Sequence, residues 1–131
     1  MNWVLILDDS RQLSDLKYIE EYELMEKVLV KSYSEFVATL NERGLPKMIS
    51  MDHDLCPEHY RLGARNHFMS LLGYDKCNIQ SGLDCARFLI RYCQEKKLKL
   101  PVCYSHSQNP AGRQAILQLI NKYKEKYAPQ D

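Results

Sequence analysis

Apolar residues in this chain fall into short runs and helical stripes that take turns along it. Trp3-Val4-Leu5-Ile6-Leu7 is a continuous apolar run ending in two acids, which suits a strand buried on both faces. Residues 10–26 are polar with a weak stripe at Leu16, Ile19, Tyr22 and Met25, predicting a short helix. Val28-Leu29-Val30 is rich in β-branched residues and predicts a second strand. Ser32 with Glu35 makes a capping box, Phe36, Val37 and Leu40 give the helix an apolar face, and Gly44 stops it. Residues 47–51 predict a third strand that ends at Asp52-His53-Asp54. Ser81 caps another helix, with Asp84 at its third position and Leu83, Ala86, Leu89, Ile90 and Cys93 facing inward. Pro101-Val102-Cys103-Tyr104 reads as a short buried strand. A last helix follows, with Asn109 as N-cap, Pro110 at its first position, and Ile116, Leu119, Ile120, Tyr123 and Tyr127 at helical spacing.

Strands that alternate with helices predict an α/β fold: a small three-layer domain around a mainly parallel, four-stranded sheet. Right-handed crossovers bring every strand's C-terminal end to one edge, where such sheets bind ligands. Asp8-Asp9, Asp52-His53-Asp54 and Ser105-His106-Ser107 all sit at predicted strand ends, so they converge. Residues 1–131 read as a single domain with a long loop insertion at about 55–80. The insertion carries His59, Arg61, Arg65 and His67, with a helical turn or two over 64–72. It is either a solvated excursion or a lid that faces the substrate.

Composition narrows the partners. A chain of 131 residues with 45% hydrophobic and 27% charged residues is an ordinary globular domain with a proper core. Its net charge of +1 argues against binding duplex nucleic acid but leaves a small anion or a strand end open. The nine tyrosines are too scattered to form a stacking platform. Asp8 and Asp9 interrupt the N-terminal apolar run, so no signal peptide is expected, and no run approaches membrane-spanning length. Five cysteines with no Cys-x-x-Cys pair read as buried reduced thiols, not zinc ligands. A cytoplasmic protein with no membrane partner is expected, and nothing singles out a protein partner.

The chemistry concentrates in residues 104–113. A helix start leaves unpaired N–H groups and the positive dipole end at the strand exit. Arg113 falls in that first turn, where a cation is unfavourable, and an anion docked there resolves the conflict. A phosphate is expected, with Ser107 and Asn109 as further donors, although Asn109 also serves as a cap. Asp8 and Asp9 cannot both face one way in a regular strand, so the chain bends there. Either a hard divalent cation relieves their repulsion or one of them caps the next segment. Asp52 and Asp54 share a face if the strand continues. His53 and His106, flanked by carboxylates, are suited to divide general-acid and general-base work.

These blocks resemble a known family. Leu7-Asp8-Asp9-x-Arg11, Ile49-Ser50-Met51-Asp52-His53-Asp54-Leu55, Ser81-Gly82-x-Asp84 and His106-Ser107-x-Asn109-Pro110-x-Gly112-Arg113 follow the order of the cyclic-phosphate-processing receiver domains. The likeness covers nearly the whole chain, and its second and fourth blocks together are specific. It departs from the family in the greater length of the segment between the first two strands and of the 55–80 loop. The resemblance implies a flavodoxin-like, receiver-like fold, an acidic metal-binding pair at Asp8 and Asp9, and Asp52 near a phosphoacceptor position. It further implies processing of a cyclic phosphate on an RNA end or nucleotide.

Taken together, the expectation is a phosphoesterase that hydrolyses a cyclic phosphodiester at the C-terminal edge of the sheet. Asp8, Asp9 and Asp52 are expected to hold Mg2+ or Mn2+, unless the two histidines act without a metal. His53 or His106 then acts as acid or base with Asp54 orienting an imidazole, while Arg11, Ser107, Asn109 and Arg113 hold the phosphate. The alternative is a non-catalytic receiver-like module that binds or sequesters a nucleotide or a partner. A phospho-accepting signalling receiver is disfavoured, because no fifth strand with its lysine is evident before the chain ends.

Overall fold

The computed structural model describes residues 3–9, 25–52, 55, 81–107 and 109–126. In chain order these form β1 (Trp3–Leu7), β2 (Glu26–Val30), α1 (Tyr33–Arg43), β3 (Met48–Met51), α2 (Gly82–Lys96), β4 (Val102–Ser105) and α3 (Pro110–Lys126). The four strands make one sheet in the order β2-β1-β3-β4, and every pairing is parallel. This is the α/β architecture expected from the alternation, consistent with a small receiver-like flavodoxin fold.

β1 lies between β2 and β3 and is buried along its whole length, because its side chains pack into clusters on both faces of the sheet. Its side chains divide by the two-residue period of a strand. Trp3, Leu5 and Leu7 enter a large core with Val30, Ile49 and Met51. Phe36 and Leu40 of α1, Ala86, Leu89 and Cys93 of α2, and Ile116, Ile120 and Tyr123 of α3 close that core. All three described helices therefore lie on one face of the sheet. Tyr92 ties two of them by donating its hydroxyl to the Leu40 carbonyl at 3.3 Å. Val4, Ile6 and Met48 form a separate buried cluster on the other face, with Met25 and Leu29 packed beside it.

Helix ends follow the local chemistry. Ser32 Oγ accepts from Glu35 N at 3.2 Å, and the Glu35 carboxylate returns to the backbone of Lys31 at 2.6 Å. At α2 the loop back is tighter, with Ser81 N donating to Asp84 Oδ2 at 2.8 Å. Gly44 ends α1 at φ +81°, where a side chain would be strained, and its N–H donates to the Leu40 carbonyl. α2 ends on Lys97, which takes the left-handed conformation at φ 55° without being glycine.

Two expectations change. The end of the helix predicted over 10–26 is strand instead, since Glu26 belongs to β2, opposite Trp3 in register; residues 10–24 lie outside the described residues. Polar Glu26 is held there by Arg43, which meets its carboxylate through two hydrogen bonds at 2.7 and 3.0 Å. The same guanidinium stacks 4.2 Å from the Trp3 ring centre. β4 is also not a buried strand. It lies last in the sheet order, and Val102 and Tyr104 are each 45% exposed while Cys103 packs against the core. An apolar run of four residues does not distinguish a central strand from an edge.

Cys85 and Cys93 are buried and Cys103 half-buried, all as free thiols; Cys56 and Cys77 lie outside the described residues, as does the 55–80 insertion apart from Leu55. No described helix is long and apolar enough to cross a membrane.

Candidate active site

The sheet's hydrogen bonding runs one residue past β1, β3 and β4. Asp8 N donates to the Val30 carbonyl at 2.9 Å, Asp52 N to the Leu7 carbonyl at 2.9 Å, and His106 N to the Met51 carbonyl at 3.1 Å. Each residue is thereby docked on the neighbouring strand and keeps the two-residue alternation. Asp8 continues the side of Val4 and Ile6, and Asp52 continues the side of Met48 and Ser50. The site forms at the C-terminal edge, on the side of the sheet away from the three described helices.

The imidazole of His106 reaches across β3. Its Nε2 lies 2.8 Å from Asp8 Oδ2, and its Nδ1 lies 2.8 Å from Ser50 Oγ. With Asp8 ionised its carboxylate only accepts, and Nε2–H is then the donor of this bond. The Ser50 hydroxyl then donates to Nδ1 when the ring is neutral. All three partners are withdrawn from water: Asp8 and Ser50 are fully buried, and the His106 side chain is only 4% exposed. Asp52, 7% exposed, completes the group. One ligand atom each from Asp8, Asp52 and His106 lies within 4.8 Å of the others.

That donor set fits a divalent cation. Neighbouring ligands on an ion with bonds of about 2.1 Å stand roughly 3 Å apart, close to the Asp8–His106 separation. Two carboxylates supply the charge, and both are already gathered and desolvated. Asp9, which lies in a bend just past β1, is not among the residues this cluster gathers. It follows Asp8 as a half-buried residue. His53, Asp54 and Arg11 lie outside the described residues.

The start of α3 differs from an open anion cradle. Pro110 has no N–H, Asn109 Oδ1 accepts from Gly112 N at 3.2 Å, and Arg113 N bonds the Asn109 carbonyl at 2.9 Å. Asn109 N donates to Ser107 Oγ at 3.1 Å. Asn109 and Ser107, both buried, thus shape the turn instead of offering a row of open amides. Arg113 resolves its unfavourable position locally: Nη1 donates to the Ser107 carbonyl at 3.1 Å, while the residue stays exposed with further N–H donors.

Ser50 is the site residue that carried no role in the sequence reading. Its signal was a hydroxyl inside the apolar run Met48-Ile49-Ser50-Met51, two residues before Asp52 and hence on the same side.

A family model described as the cyclic-phosphate processing receiver domain matches residues 3–122. The chain belongs to this family. The match spans every described element, although α3 runs four residues past its end (residues 123–126). In this receiver domain, Asp8, Asp52 and His106 stand just past the ends of β1, β3 and β4, and Ser50 lies within β3. No curated protein and no solved structure matches the chain.

Proposed function

We propose that this receiver domain hydrolyses a cyclic phosphodiester on a nucleotide or RNA end, at the edge formed by Asp8, Asp52 and His106. The observation that carries the reading is the Asp8–Asp52–His106 cluster, two buried carboxylates and an imidazole gathered at three strand ends. Burial of like charges at one point is costly unless a cation or a reaction uses them.

Hydrolysis joins a water oxygen to phosphorus and breaks one ring P–O bond; the water loses a proton and the leaving oxygen gains one. Asp8 and Asp52 would hold Mn2+ or Mg2+ with His106 as a third donor, and the cation, when bound, supplies positive charge against the phosphoryl oxygens. Before a cation binds, the imidazole of His106, engaged at both nitrogens, keeps Asp8 in one orientation. Asp9 adds negative charge beside the cluster. Arg113, with donors left beyond its bond to Ser107, and Arg11 would hold the phosphate. Proton transfer at the ring oxygens falls to His53, with Asp54 orienting it.

The test is incubation with RNA bearing a 2′,3′-cyclic phosphate, and with a panel of cyclic nucleotides, with and without Mn2+ or Mg2+. A linear phosphomonoester or opened nucleotide is expected, and His106→Ala should lose at least about 100-fold in turnover. Full turnover by folded His106→Ala protein overturns the reading. Tight binding of a cyclic nucleotide recovered unchanged would instead support a module that sequesters nucleotides.

A further inference from the structure

Ser50 presents a fully buried hydroxyl at a strand position where its neighbours Met48, Ile49 and Met51 are apolar core residues. A buried hydroxyl without a partner costs about 1–3 kcal/mol. Its Oγ lies 2.8 Å from Nδ1 of His106, on the opposite side of the ring from Asp8. The nitrogen that faces Asp8 is therefore Nε2, and Nδ1 is held by Ser50.

Building on the reading of Asp8, Asp52 and His106 as a cation site, we propose that Ser50 is a positioning residue that serves His106 in either tautomer. With Nε2–H donating to Asp8, the Ser50 hydroxyl donates to the bare Nδ1. With the lone pair of Nε2 turned to a divalent cation, Nδ1 carries the proton and donates a hydrogen bond to Ser50 Oγ. The proton released from Nε2 to solvent is matched by one taken up at Nδ1, so the exchange moves no net charge. A hydroxyl both donates and accepts, which makes this reversal available. The carboxylates and carbonyls that usually back a metal-binding histidine only accept, and they lock Nδ1–H in place. Ser50 thus lets one imidazole brace Asp8 in the empty site and join the ligands in the filled one.

The experiment is long-range 1H–15N NMR of the histidine rings in the full chain, with His106 identified by comparison with His106→Gln, during titration with diamagnetic Zn2+. Metal-free protein should show His106 protonated at Nε2, and Zn2+ should move the proton to Nδ1. Ser50→Ala should weaken Zn2+ binding by about 10-fold or more and lose the clean reversal, while Ser50→Thr restores both. Zn2+ binding by Ser50→Ala as tight as wild type, with the same reversal, overturns the proposal. So does wild-type protein that is already protonated at Nδ1 without metal, or that takes no Zn2+ at His106. If Ser50→Ala fails to fold, the wild-type tautomers and Ser50→Thr still decide. None of these readings uses turnover, so a protein that reverses its tautomer yet hydrolyses nothing keeps the role of Ser50 and loses the phosphoesterase. A hydrolase without the reversal does the opposite.

Discussion

Nε2 of His106 and Oδ2 of Asp8 meet at 2.8 Å although 98 residues separate them in the chain. The contact crosses β3, because Asp8 leaves β1 and His106 leaves β4 on the two flanks of that strand. It joins the first and last polar clusters of the sequence into one buried group, and most of what the site is expected to do depends on it.

Asp8→Asn keeps an acceptor for the imidazole but removes the charge. Loss of a residue that merely orients a ligand already weakens metal sites 10–100-fold, so loss of a charged ligand is expected to exceed about 100-fold. Calorimetric titration with Mn2+ measures it, and circular dichroism checks that the fold is kept. Unchanged affinity would remove Asp8 from the cation site.

Chelation should abolish turnover. Mn2+ should restore it better than Mg2+, since the donor set includes an imidazole alongside the two carboxylates. Turnover that survives excess EDTA would show that the histidines work without a metal.

Asn109→Ala removes the oxygen that accepts from Gly112 N and should cost about 1 kcal/mol in urea unfolding. Asn109→Asp, which keeps that oxygen, should recover most of the loss. A raised KM with unchanged stability would instead make Asn109 a substrate ligand.

Lys97 holds the left-handed conformation at the end of α2, which costs a non-glycine residue about 1–2 kcal/mol. Glycine removes that cost but orders a more flexible unfolded chain, taking back roughly 0.5–1 kcal/mol. Lys97→Gly should therefore stabilise the domain by about 0.5–1 kcal/mol in thermal or urea unfolding, and a loss of stability would contradict the argument.

Burial pushes the Cys93 thiol up to about 11 and the Cys103 thiol up to about 12, and pushes Cys85 higher still. The folded protein keeps these protons above pH 9, where an unfolded thiol loses them, so the unfolded state binds fewer protons and stability falls as pH rises from about 9. At pH 8 the three sites should resist iodoacetamide in the native protein and react on unfolding, as read by peptide mass spectrometry. Rapid native labelling at Cys85 would refute the burial argument.

Much of the fold was legible from local pattern. The β1 run, the stops at Gly44 and Asp84's return to Ser81 follow from side-chain chemistry within a few residues. The convergence of Asp8, Asp52 and His106 on one edge followed from alternating strands and helices. The exposure of β4 is not legible in its apolar run, because its place last among the described strands depends on strand order, which no four-residue window contains.

By itself, then, the sequence determined which elements form, where they are capped, and which polar residues stand at the strand ends. Propensity, periodicity and capping act over a few residues, and those are the distances a sequence displays. Only the tertiary structure decided that Asp8 and not Asp9 meets His106, that Ser50 backs the ring, and that Arg113 binds the Ser107 carbonyl at an already capped helix start. Those choices depend on register and on the packing of β1, β3 and β4 side by side. A strand's two-residue period fixes the side a residue faces but never the partner it finds there.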